Sequence, residues 1–409
     1  MHVWAPVITG YVEWVLRQAG KDGIKRLYFM ARDGYLWYRA AQRLEKKLQT
    51  GIELCYIRVS RFALRMAEYA LPDTDAAAML CVGGIDITFE KILRRAALTD
   101  EEMVVLAEKA GYRDRMKESL QYREIAGLAE KLRKIPEFSQ YVKRHAEEAL
   151  KNVLAYLAQE GLREDVLYAL VDSGWIGTVQ KSMQHLLRYA GDRDRVLTGY
   201  YFGLYELPKG TDRRNYRSFY LAPWKDIGRK IKFSICLFET VCSAPEGMTL
   251  GYGKRKDRYE ALLSDLQNPN AQDIKRNAEL LESYLEGYQP EGAENGTAEA
   301  PVQRLLMKHM GTPSIIEANV YGSFQFCDDV LESELQDLAR VWGEWELSKQ
   351  HILIRLLIKS GCLKKKICES GWPEASFVRS VRHPFLWLAE ERMYKRMMYL
   401  RKAAESRGV

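Results

Sequence analysis

The chain has 409 residues, 47% of them hydrophobic and 29% charged, which excludes a disordered or fibrous chain and leaves room for two or three structural units. A net charge of +7, read as spread along the chain, excludes the basic stripe of a nucleic-acid binder, so no nucleic-acid partner is expected. No apolar run approaches the ~18 residues of a membrane span. The first residues lack the basic and apolar regions of a secretory signal, so the expected location is cytoplasmic.

In chain order, residues 7–19 carry a helical apolar face (Ile8, Val12, Val15, Leu16) that Gly20 and Gly23 break. Residues 27–31 read as a strand, 35–48 as a helix and 52–59 as a second strand ending at Ser60-Arg61, a crossover unit that predicts a parallel sheet. Residues 72–160 then change character, with helices expected over 86–97, 99–110, 116–132 and 136–160. Thr99 followed by three acids makes a strong helix start. The sheet resumes with a strand over 166–171, a helix over 178–189, a strand over 196–204 and an edge strand over 217–221. Residues 230–241 lean towards a helix, and 257–288 read as a polar helix. Residues 289–301 form a linker rich in proline and glycine, whose Asn295-Gly-Thr297 matches a glycosylation sequon by coincidence. Helices are expected over 301–310, 332–357 and 383–405.

The seven cysteines are odd in number and without C-x-x-C spacing, which predicts reduced, mostly buried thiols. The six histidines form no HxxxH or HxH group, so no histidine metal site is expected.

Two segments repeat one grammar: strand, acid, glycine, helix. The first is Leu27-Tyr-Phe-Met-Ala-Arg32-Asp33-Gly34. The second is Leu167-Tyr-Ala-Leu-Val-Asp172-Ser-Gly174-Trp175-Ile-Gly177-Thr178. An acid at a strand's carboxyl end can hold a metal or a hydroxyl, and glycines before a helix N-terminus let backbone N–H groups approach an anion. Arg32 and Arg61 would clamp phosphate, Gly177 and Thr178 would cradle it, and Trp175 would stack on a ring or cover the site. The bland alternatives are a turn capped by Ser173 or Thr178 and a local Arg32–Asp33 salt bridge. Residues 243–247 (Ser-Ala-Pro-Glu-Gly) mark either a lid or substrate loop, or a plain surface turn. The basic, aromatic helix 384–401 is expected to pack Phe385, Leu386, Trp387 and Met393 on its own unit, ahead of peripheral contact with anionic lipid.

These motifs, together with Tyr56-Ile-Arg-Val-Ser60-Arg61, Gln180, Glu239 and Gly251-Tyr252, resemble predicted hydrolases of the haloacid-dehalogenase (HAD) superfamily associated with bacterial surface-polysaccharide glycosyltransferases. The resemblance covers roughly residues 1–260 and is to that family's second α/β region. The family's Asp-x-Asp-x-Thr nucleophile motif is absent: with Asp33 as its second acid, Ala31 stands where the nucleophile would be. A looser likeness to phosphoribosyltransferases lacks their second acid, since Ser173 follows Asp172.

The expected fold is a Rossmann-like α/β core (HAD-like or phosphoribosyltransferase-like) from residues 1–70 and 161–260. It carries a cap-like helical insertion (71–160), a helix and linker (261–300) and a helical C-terminal unit (301–409). The expected catalytic residues are Asp33, Asp172 and Glu239, with Asp33 and Asp172 also holding Mg²⁺. The expected ligand-binding residues are Arg32, Gly34, Ser60, Arg61, Gly174, Trp175, Gly177, Thr178 and Gln180. Two functions follow. One is a protein of cell-surface polysaccharide synthesis that binds a phosphorylated sugar or nucleotide-sugar and acts as phosphohydrolase or phosphotransferase. The other is a catalytically silent module that scaffolds or regulates a glycosyltransferase or a separate phosphatase.

Overall fold

A computed structural model describes residues 1–83, 87–265, 268–290, 299–326, 335–360, 362–363, 365 and 367–407. The chain opens with α1 (Trp4–Lys21), β1 (Arg26–Met30), α2 (Gly34–Leu48), β2 (Glu53–Ile57) and α3 (Arg61–Glu68). The helical insertion follows as α4 (Ala76–Leu80), α5 (Phe89–Arg94), α6 (Asp100–Ala110), α7 (Tyr122–Arg133) and α8 (Pro136–Gln159). The sheet resumes with β3 (Tyr168–Trp175), α9 (Thr178–Tyr189), β4 (Thr198–Leu204) and β5 (Tyr216–Leu221). Two short helices, α10 (Ile227–Lys230) and α11 (Ile235–Cys242), lead to a hairpin of β6 (Thr249–Arg255) and β7 (Arg258–Leu263), then α12 (Ala271–Gly287). The C-terminal unit holds α13 (Glu299–Gly311), α14 (Ile315–Gly322), the two-residue strands β8 (Gln325–Phe326) and β9 (Gln336–Asp337), α15 (Glu344–Ser348), α16 (Ile352–Lys359), α17 (Pro373–Ser380) and α18 (Phe385–Arg407).

The five-stranded sheet is wholly parallel, in the order β2-β1-β3-β4-β5. This is a doubly wound α/β arrangement whose order reverses between β1 and β3. Strand periodicity sorts the core into two layers. Leu27, Phe29, Ala169 and Val171 pack with α1 and α2 on one face, and Tyr28, Met30, Tyr168 and Leu170 pack with α3, α8 and α9 on the other. The insertion has its own core, which Phe62 and Met66 of α3 and Tyr69 just after it enter. α8 ties both together: Phe138, Val142 and Ala146 join the insertion core, and Val153 and Leu157 join the sheet.

Several boundaries differ from the sequence reading. β3 runs on through Trp175, because β4 pairs with it as far as Gly174↔Gly203 and Trp175↔Leu204; residues 172–175 are strand, not loop. The polar helix expected over 257–288 begins only at Ala271, since residues 258–263 pair with β6 and alternate in exposure. The helix expected over 332–357 is instead β9, α15 and α16, with residues 332–334 outside the described ones. The start of the helix expected at residue 86, residues 291–298 of the linker with its sequon, and Cys327 also lie outside the described residues. The other six cysteines are free, but only Cys242 among them is buried. No described helix is long and apolar enough to cross a membrane.

Candidate functional site

The turn after β1 and the end of β3 lie side by side at the carboxyl edge, where the strand order reverses. A cavity of about 490 Å³ opens there. Asp33 and Asp172, remote in sequence, meet through Ser173. The Ser173 hydroxyl donates to Asp33 Oδ2, and the Ser173 N–H donates to Asp172 Oδ1 at 2.9 Å. The third acid, Glu239 on α11, accepts the Trp175 indole N–H on Oε1 at 2.7 Å.

All three carboxyls are half-buried and line the cavity. Burial, the Asp33 charge and, to a lesser extent, Glu239 push Asp172 up to about 8. Burial and Asp33 likewise push Glu239 up to about 7, against the pull of the Trp175 hydrogen bond, Arg61 and Arg32. Burial raises Asp33 too, while Ser173, Arg32 and Arg61 pull it back. The direction is common to all three: burial and mutual repulsion favour the protonated acids.

Opposite the acids stands a ladder of cations. Ser60 caps α3 by accepting the Ala63 N–H at 2.9 Å, which sets Arg61 in the first turn and Arg65 one turn later, both on the cavity wall. Neither arginine makes a hydrogen bond or ion pair among the described residues, and burial lowers the Arg65 pKa. Lys91 and Arg95 line the wall from the insertion, Arg95 anchored by donating to the Leu80 and Val82 carbonyls at 2.7 Å each.

Of the sequence candidates, Arg32, Asp33, Ser60, Arg61, Asp172, Gly174, Trp175, Thr178 and Glu239 line the cavity, whereas Gly34, Gly177 and Gln180 do not. Gly34 opens α2, pressed against the Phe29 backbone. Gly177 is needed for its φ of +76° and because a Cβ there would sit 2.8 Å from the Tyr216 ring. The Gln180 amide donates to the Leu197 and Asn215 carbonyls and accepts from the Tyr201 hydroxyl, so it is fully engaged in structure.

Within the wall, roles also shift. A Cβ at Gly174 (φ +108°) would meet the Gly203 carbonyl oxygen at 2.4 Å, so this glycine serves the close approach of β4. The Ser60 hydroxyl donates to the Thr249 carbonyl at 2.6 Å besides capping α3. The Trp175 ring packs among Tyr205, Phe233 and Phe238 and orients Glu239; it is not free to stack on a ligand. Gly177 rather than Thr178 occupies the cap position of α9; Thr178 lines the cavity, and its hydroxyl makes no hydrogen bond among the described residues. Residues 243–247 are a tied turn rather than a lid: Asn268 donates to Ser243 Oγ and the Ala244 carbonyl, and Glu246 pairs with Arg58 at 3.0 Å, while Ser243 itself lines the cavity.

Sequence reasoning missed Arg65, Lys91 and Arg95 and the linking role of Ser173. The spacing Arg61, Arg65, Tyr69 behind a capping serine is the signal for the first; nothing in sequence places the insertion's cations opposite it.

Among the described residues no group of three or more His, Cys, Asp or Glu side chains forms a metal-ligand set. Asp33 and Asp172 alone match the one- or two-carboxylate pattern of Mg²⁺, which completes its shell with water and phosphate oxygens. A cation held there would relieve the mutual repulsion of these acids.

No protein-family model matches the chain, and no curated protein matches it either.

Proposed function

We propose that the cavity binds a phosphorylated sugar or nucleotide-sugar and transfers or hydrolyses its phosphoryl group. The observation that carries this reading is the pairing of three half-buried acids with two arginines, Arg61 and Arg65, that have no bonded partner among the described residues, at the point where the strand order reverses. Arg61 and Arg65 bind phosphate oxygens, and Thr178 adds a neutral donor. An ionised carboxylate of the cluster takes the proton of the attacking water. The protonated one, Glu239, gives a proton to the departing sugar oxygen. Mg²⁺ held by Asp33 and Asp172 would supply charge neutralisation at the phosphoryl oxygens. The setting in cell-surface polysaccharide synthesis, beside a glycosyltransferase, rests on the motif resemblance alone.

A binding module without turnover is the second reading. It is favoured by Ala31, whose methyl group at the carboxyl end of β1 leaves no nucleophile there for a covalent phospho-aspartate. The test is binding and phosphate release with a panel of sugar phosphates and nucleotide-sugars, with and without Mg²⁺. Release that vanishes in Asp172→Asn supports the enzyme. Binding without release, lost in Arg61→Ala, supports the module. No binding of any member by the wild-type protein overturns both.

A further inference from the structure

The positive charge of this chain is not evenly spread. Residues 349–402 hold thirteen Lys or Arg and four Asp or Glu, a net +9, whereas the whole chain is +7, so all other residues together are slightly acidic at −2. Three of those four acids are already engaged. Glu374 pairs with Lys395 at 2.6 Å, Glu391 pairs with Arg355, and Glu390 pairs with His351 at 3.2 Å. Lys365, Arg382 and Arg396 are exposed and make no hydrogen bond or ion pair among the described residues.

The same segment turns its apolar side chains outward. α18 docks on its own unit through Trp387, Leu388 and Tyr394: the Trp387 ring lies 4.3 Å from His351 and 5.4 Å from Phe377, and Leu388 and Tyr394 are buried. Phe385, Leu386 and Met393, expected to pack inward, are instead 75%, 73% and 51% exposed, because the docking face is set by the ionic pairs of Glu391 and Lys395. Leu386, Met393, Met397 and Leu400 follow one another at spacings of seven, four and three, one unpartnered stripe along the helix. On the neighbouring α16, Leu353 is 71% exposed.

We infer that this outer face of α18, with Phe385 at its tip, is a docking surface for an anionic lipid bilayer. The unbalanced cations draw the face to negative headgroups, and the apolar stripe enters the boundary between headgroups and acyl chains. A stripe seated on an acidic protein surface or on a second copy of this chain would not require lipid. The commitment to lipid rests on an exposed aromatic–aliphatic pair, Phe385-Leu386, preceded by exposed Arg382, and on exposed Arg396 bordering the Met393–Met397 stripe.

The experiment is co-sedimentation of the full chain with vesicles of phosphatidylcholine alone and with 30 mol% phosphatidylglycerol, a composition of about one charge in three. The full-length chain is expected to bind the anionic vesicles at least tenfold more than the neutral ones, and to be released by high salt. L386S/M393S, at exposed positions that leave the docked face intact, is expected to lose at least tenfold in binding at an unchanged melting temperature. Equal binding to both vesicle types, or full binding by L386S/M393S, overturns the inference. So does an absence of vesicle binding together with self-association that this double variant abolishes.

Discussion

Two clusters of withdrawn charge in this molecule obey opposite rules. In the C-terminal unit, Glu374 and Glu391 are 1% and 2% exposed, yet each has a bonded cation, and the Arg355 guanidinium also lies 3.6 Å from the Tyr394 ring centre. At the sheet edge, Asp33, Asp172 and Glu239 are more open to solvent, and the hydrogen bonds that hold them among the described residues come from a serine and a tryptophan. Opposite them, Arg61 and Arg65 make no hydrogen bond or ion pair among the described residues. The first cluster is closed, and a charge there serves the fold. The second keeps its electrostatic imbalance and its cavity, which is what a site that must meet an anionic ligand requires.

The comparison breaks first, and hardest, on Lys395. Lys395→Met strands Glu374 as an uncompensated buried charge and should cost about 3–5 kcal/mol, read by urea unfolding. Ligand binding by whatever remains folded should be unchanged. A loss below 1 kcal/mol, roughly the value of a surface pair, would mean that this cluster is not structural.

Arg61→Ala is the converse. It should change stability far less than Lys395→Met, because Arg61 makes no hydrogen bond or ion pair among the described residues and loses only its longer-range attraction for the three acids. It should weaken phosphorylated-ligand binding by about 1.5–3 kcal/mol, the range of hydrogen bonds to charged groups, measured by titration calorimetry. A stability loss without a binding loss would move Arg61 to the structural class.

The third test is the pH dependence of stability. The unfolded chain releases the Asp172 proton near pH ~4, and the folded one releases it at about 8. The folded state therefore binds more protons across that interval, and its stability falls as pH rises through it. Asp172→Asn removes this term. Discounted for water in the cavity, the variant should gain about 1 kcal/mol over wild type at pH 8 relative to pH 5, seen in thermal melts. Parallel melting curves for the two proteins would show that Asp172 is not held protonated. Mg²⁺ should raise the wild-type melting temperature more at pH 8 than at pH 6, and Asp172→Asn should lose that difference.

The smallest effect belongs to Trp175→Phe. Losing the indole N–H removes a hydrogen bond that favours ionised Glu239, so its titration should move up from about 7. Infrared titration of the carboxylate band reads it, and an unmoved midpoint would mean that packing alone holds Glu239.

Much of the sheet edge was legible in sequence because it is local chemistry. Apolar runs ending in Asp33 and Asp172 with glycine behind them identify two strand ends of one parallel sheet, and a residue type that can ionise there is visible by inspection. Helix starts were legible for the same reason: Thr99 and Glu102 form a reciprocal cap within three residues. The glycines misled, because a glycine required by a neighbouring strand and one required by a ligand look alike in sequence. Gly174 and Gly177 answer to Gly203 and Tyr216. The hairpin β6–β7 was lost because residues 258–263 carry charges that suit a helix as well as an exposed strand, and only their partner β6 decides between them.

By itself, then, the sequence determined the parallel α/β core, the two acidic strand ends, the helical insertion and the cationic character of the C-terminal segment. Each follows from periodicity, capping and charge within a few residues. Only the tertiary structure decided that Ser173 joins Asp33 to Asp172, that Glu239 completes their cluster and that the insertion's Lys91 and Arg95 line the same cavity. It also decided which side of α18 faces out. These contacts join residues far apart in the chain, and strand order and helix packing, not local pattern, set their distance.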